Sequence, residues 1–172
     1  SLIVNELNRF GISYSYASTD VKSIEDATGP DTRMIFVESP SNPLLTMVDL
    51  AAVAAFAKSK NIISAIDNTF ASPILQTPLD HGFDLVMHSG TKYLGGHSDL
   101  CCGTVNGPAA LIEKVRNHAV SYGGCLNAQD CHRLERSLKT LELRVTRQSD
   151  NAGVIAASLD ANKHIKNVYY PG

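Results

Sequence analysis

No two of the four cysteines form a C-x-x-C pair: Cys101 and Cys102 are adjacent, and Cys125 and Cys131 stand apart. Zinc ribbons and fingers need such pairs to wrap ligands round one ion, and small secreted domains need a denser cysteine framework. The chain therefore reads as carrying reduced, mostly buried thiols, as in a cytoplasmic protein. No H-E-x-x-H accompanies His81, His88 or His97, and no metal site is expected. A basic block is missing too: fifteen Lys and Arg against seventeen Asp and Glu give a net charge of −2, which leaves neither nucleic acid nor an anionic membrane as a partner. The longest apolar stretches, such as AAVAAFA over 51–57, fall far short of a bilayer span. The opening SLIVNELNRFGI has no basic region ahead of an apolar core, so it does not read as a signal peptide. What remains, 44% hydrophobic and 19% charged over 172 residues, is enough for one soluble domain with a real core.

Strand and helix patterns alternate along the chain without internal repeats. The apolar run MIFV over 34–37 has the continuity of a strand buried on both faces and ends at Glu38. SPSNP breaks the chain at 39–43, and an alanine-rich helix is expected over 48–60, with Asp49 near its start. Strands follow over 62–66, ending at Asp67, over 84–88, running into Ser89 and Lys92, and over 100–105. This order argues for an α/β fold: a three-layer, mostly parallel sheet flanked by helices. A helix is expected from Pro108 to about Tyr122. Leu134, Leu138, Leu141 and Val145, spaced by four, three and four, mark one apolar stripe of a further helix starting near Asn127. A last strand signal lies over 165–169.

In parallel α/β sheets ligands sit beyond the carboxyl ends of the strands. Glu38 with Asn42, Asp67, and the SGTK turn over 89–92 follow three such ends, so they share one sheet edge despite their separation in sequence. Singly, each has a plain structural explanation: an aspartate after a strand often caps a helix, and a loop lysine is usually solvated. A P-loop is excluded, because G-x-x-x-x-G-K-[ST] fails at Val86 and Tyr93. The chemistry that uses all these groups together is a Schiff base to pyridoxal phosphate. Its aldehyde needs an amine, its phosphate needs short donors, and its ring nitrogen needs an acid.

Four blocks, ESPSNP over 38–43, DNTFASP over 67–73, VMHSGTKYLGGHSD over 86–99 and LKTLELR over 138–144, resemble the pyridoxal-phosphate enzymes of cysteine and methionine metabolism. This is the cystathionine γ-lyase, cystathionine β-lyase, methionine γ-lyase, cystathionine γ-synthase and homoserine sulfhydrylase group. The resemblance implies an aspartate-aminotransferase-like large domain of fold type I, with residues 1–160 as its central part and 161–172 as the start of a small domain. It implies that Lys92 is the Schiff-base lysine and Asp67 the partner of the pyridinium nitrogen. Ser89 and Thr91 fall on phosphate-binding hydroxyls, Asn42 lies near the phenolic oxygen, Thr69 packs near the ring, and Glu38 supports the site from behind.

The resemblance further implies a carbon–sulfur lyase of the trans-sulfuration type, performing α,γ- or α,β-elimination on cystathionine, methionine or cysteine, and a homotetramer in the cytoplasm when full length. The alternatives are a γ-replacement enzyme and a non-catalytic fragment. The family's upstream Gly-Met pair, its stacked tyrosine, the arm that reaches a neighbouring subunit and the small-domain arginine have no counterpart here. The chain is thus expected to be an incomplete piece of the enzyme.

Overall fold

The computed structural model describes residues 5–172. Four strands, β1 (Met34–Glu38), β2 (Ile63–Asp67), β3 (Leu85–Ser89) and β4 (Gly103–Asn106), form one sheet in the order β1-β2-β3-β4. The first three are parallel, with Glu38 beside Asp67 and Asp67 beside Met87; β4 runs antiparallel to β3. The helices are α1 (Val21–Ala27), α2 (Leu50–Ser59), α3 (Ser72–Leu75), α4 (Ala109–Tyr122), α5 (Ala128–Leu138) and α6 (Leu141–Asp160).

Local chemistry sets the helix starts on the packed side. Asp20 caps α1 by accepting from the Ser23 amide, and Asp49 caps α2 by accepting from the Ala52 amide at 3.0 Å. Alanines let α2 approach the sheet closely, and Leu50, Val53, Ala54 and Ala57 are buried there. They pack with Ile24 of α1 and with Ile35, Ile66 and Val86 of the strands, which makes one core. At the amino ends of β2 and β3, the Asp84 carboxylate accepts from the Ser64 amide (2.9 Å) and hydroxyl (3.0 Å). The Asp84 amide donates back to the Ser64 hydroxyl.

Several expectations change. MIFV is buried on one face only, since Met34 and Phe36 are 47% and 45% exposed while Ile35 is buried; a continuous apolar run does not reveal whether both sheet faces are covered. The strand expected over 100–105 begins at Gly103 and is antiparallel. Cys101 and Cys102 precede it, and Cys101, Cys125 and Cys131 are exposed rather than buried. The leucine stripe is split over α5 and α6. Thr140 leaves helical geometry, and the Ser137 carbonyl is taken by the Thr140 amide in a tightened last turn. Residues 165–169 form no strand.

Candidate active site

Parallel pairing puts the carboxyl ends of β1, β2 and β3 at one edge of the sheet. Side chains alternate along a strand, so Glu38, Asp67, Met87 and Ser89 project from the same face. Asp67 closes β2 half-buried. Its Oδ1 accepts from the Thr69 amide at 2.9 Å and from the Thr69 hydroxyl, and Thr69 Oγ1 in turn accepts from the Ser89 amide at 2.8 Å. This chain of bonds ties the ends of β2 and β3 together and fixes the orientation of the Asp67 carboxylate. Its other oxygen has no hydrogen-bond partner among the described residues.

After Ser89 the backbone winds into a tight turn. The Lys92 amide donates to the Ser89 carbonyl, Gly95 to Gly90 at 2.8 Å, and Gly96 to Lys92 at 2.7 Å. Gly90 is required by crowding, as a Cβ there would lie 2.4 Å from Cys102 Sγ. Lys92 is exposed and makes no ion pair or hydrogen bond through its side chain among the described residues. The two expected phosphate-binding hydroxyls differ. Ser89 Oγ has no partner among the described residues, whereas Thr91 Oγ1 accepts from the Cys102 amide at 3.1 Å and lies 3.4 Å from the Cys102 carbonyl. The Asn42 amide donates to Glu38 Oε1 at 3.3 Å, which leaves its side chain exposed on the loop after β1. The backbone and Glu38 thus place Asn42 at the same edge as Asp67.

Three residues with no role in the sequence reading are drawn in. His88, on the opposite face of β3, is buried with no partner for Nδ1. Burial pushes its imidazole below the ordinary value, against the opposing pull of the Asp67 charge and the Asn68 backbone. His97 Nδ1 donates to the Gly95 carbonyl at 2.6 Å. Arg144 reaches from α6 to the Tyr93 carbonyl at 2.8 Å. The quoted blocks contain all three residues, and their partners are what the sequence does not display.

A cavity of about 440 Å³ lies on the His88 side, between Asn68, Gln76, Leu94 and Leu138, and another of about 820 Å³ lies near Lys22 and Arg33. Neither contains Lys92 or Asp67. No group of three or more His, Cys, Asp or Glu is placed to hold a metal ion, and no helix is long and apolar enough to cross a membrane, among the described residues. The donor set fits pyridoxal phosphate: an unpaired amine at Lys92, a free hydroxyl at Ser89 and an oriented carboxylate with one open oxygen at Asp67 share one sheet edge.

Known proteins are similar to this chain over nearly its whole length. Residues 1–172 match the family described as Cys/Met metabolism PLP-dependent enzyme. A cystathionine beta-lyase of Coxiella burnetii is 45% identical over 165 residues, covering 94% of this chain and 43% of that protein. An L-methionine gamma-lyase of Pseudomonas deceptionensis is 40% identical, covering 100% of this chain and 44% of that protein. The crystal structure of a cystathionine gamma-lyase from Lactobacillus plantarum, complexed with L-serine, superposes with a TM-score of 0.95 at 41% identity over 99% of this chain and 45% of that one. The chain therefore spans less than half the length of these relatives.

Proposed function

The chain belongs to the Cys/Met metabolism PLP-dependent enzyme family, and from that premise we propose that its protein is a carbon–sulfur lyase that eliminates a thiol from a sulfur amino acid such as cystathionine, methionine or cysteine. The observation that carries the proposal is the Asp67–Thr69–Ser89 chain of hydrogen bonds at the sheet edge where the free Lys92 amine also lies.

When bound, pyridoxal phosphate supplies an electron-withdrawing ring that stabilises negative charge at the substrate Cα. Lys92 anchors the cofactor. The Lys92 side-chain amine, free of any partner among the described residues, would also be the base for the substrate Cα proton. Asp67 would hold a proton at the ring nitrogen by a charge-assisted hydrogen bond, its carboxylate oriented by the Thr69 contacts to Oδ1. Ser89, whose hydroxyl has no partner among the described residues, and Thr91, whose hydroxyl lies 3.4 Å from the Cys102 carbonyl, would donate to the phosphate. Asn42, its backbone held by Glu38, would serve the phenolic oxygen. The products are an oxo acid, ammonia and a thiol, from α,γ- or α,β-elimination. Residues 1–160, up to the end of α6, belong to the large domain in this reading, and 161–172 open the small one. The four free cysteines suit a cytoplasmic enzyme, and the full-length protein assembles as a homotetramer.

The test is borohydride reduction of the full-length protein loaded with cofactor, followed by peptide mapping and assays for oxo acid and thiol release. The reading expects the reduced cofactor on Lys92 and thiol release from cystathionine or methionine. Label on another lysine overturns the site. Label on Lys92 with thiol incorporation but no oxo acid identifies a γ-replacement enzyme instead.

A further inference from the structure

The LKTLELR block over 138–144 holds the turn that carries Lys92. Arg144 Nη1 donates to the Tyr93 carbonyl at 2.8 Å, and Nη2 lies 3.4 Å from the Leu94 carbonyl. The same guanidinium donates to its own helix junction, from Nη2 to the Ser137 carbonyl at 3.0 Å and from Nε to Thr140 Oγ1 at 3.1 Å. No carboxylate pairs with it among the described residues; its charge is directed at main-chain oxygens. Those oxygens come immediately after the Lys92 carbonyl, which the Gly96 amide already occupies at 2.7 Å. Three consecutive carbonyls, those of residues 92, 93 and 94, thus each have a donor.

The approach is made possible by Gly96. A Cβ at that position would lie 2.1 Å from Nη1, and the residue has φ +74°, so glycine serves both the turn and the contact. His97 adds a second hold by donating to the Gly95 carbonyl. Arg144 itself stands on a firm base, since Leu141 and Val145 of the same helix are buried at 5% and 3% exposure. A planar fork with five donors can bridge carbonyls on two segments at once, which an ammonium cannot do with comparable geometry. We propose that Arg144 is a positioning residue that sets where the Lys92 amine sits, by clamping the Tyr93–Leu94 carbonyls to the α5–α6 junction. The proposal rests on Lys92 being the cofactor-anchoring lysine.

The test compares Arg144→Ala and Arg144→Lys with the wild type in the full-length enzyme. A displacement of about an ångström in a reacting group costs on the order of 100-fold in rate, so kcat should fall by about that factor in Arg144→Ala and about 10-fold in Arg144→Lys, with KM nearly constant. The visible circular dichroism of the bound cofactor, which reports its orientation, should weaken in both. In cofactor-free enzyme, amide hydrogen exchange over residues 90–96 should accelerate. Borohydride should still place the label on Lys92. Should Arg144→Ala fail to fold, Arg144→Lys decides: wild-type kcat, ellipticity and exchange in that variant overturn the proposal. A lowered melting temperature with unchanged kcat and ellipticity also overturns it, since Arg144 would then serve stability alone. Wild-type label on a different lysine removes the Lys92 reading, and this proposal with it. Label on Lys92 with an inert Arg144 leaves that reading intact.

Discussion

The two faces of the sheet are made by the same strands and have different surroundings. On one face Ile35, Ile66 and Val86 are closed over by α1 and α2, and Val53, Ala57 and Ile66 are entirely buried. On the other, Ala65 and Leu85 are buried, but Met34, Phe36 and Met87 remain 47%, 45% and 37% exposed. Asp67 and Ser89 project from this second face. The difference teaches that the packed core and the candidate site lie on opposite sides of one sheet. The packed face fixes the strands, and the half-open face presents the candidate site residues Asp67 and Ser89 beside exposed apolar surface.

The division is testable in order of expected effect. Lys92→Ala should lower elimination by roughly 10²–10⁴-fold or more in the full-length enzyme, through loss of the base and the anchor, with little change in melting temperature; thiol-release kinetics with thermal denaturation checks this. Ile66→Ala, on the packed face, should cost about 2–5 kcal/mol of stability in denaturant titration and leave kcat per folded molecule near the wild-type value. If Ile66→Ala abolished turnover in fully folded enzyme, the two faces would not be independent. Asp67→Asn should weaken the hold on the ring nitrogen by about 1.5–3 kcal/mol, read as roughly 10–100-fold weaker cofactor binding or slower turnover.

The smallest effect concerns His88, whose imidazole is held below its ordinary 6.5 chiefly by burial. The unfolded chain takes up a proton as the pH falls through that value, while the folded chain resists until lower pH. Stability is therefore full above about 6.5 and declines below it. His88→Gln should flatten the melting temperature between about pH 7 and 5. An unchanged acid slope would show that His88 is solvated in the intact enzyme.

Much of this arrangement was legible in the sequence because β1, β2 and β3 are short apolar runs that each end in a polar residue. Asp67, Ser89 and Lys92 could be placed at one edge from that pattern alone. The direction of β4 could not, since GTVN has no distinctive run and strand direction is set by where the chain returns. The break at Thr140 was hidden for a different reason: leucines spaced by three and four keep their rhythm across a junction that lacks both proline and glycine. Arg144 was quoted within a block, but its acceptors on the Lys92 turn are main-chain carbonyls 51 and 50 residues away, and any residue type presents a carbonyl.

One consequence follows from the Ser64–Asp84 lock. β2 and β3 are fastened twice, by Ser64 and Asp84 at their amino ends and by the Asp67–Thr69–Ser89 chain at their carboxyl ends. A slip of one residue between them would displace Lys92 by about 3.3 Å and turn Ser89 to the other face, and both fastenings would have to break for it to occur. The length of the connection between the strands is thereby uncoupled from the geometry of the site. Extra residues inserted at the exposed tip around His81 and Gly82 should be absorbed as a larger loop, whereas a single residue inserted within 85–88 should be lethal to the enzyme.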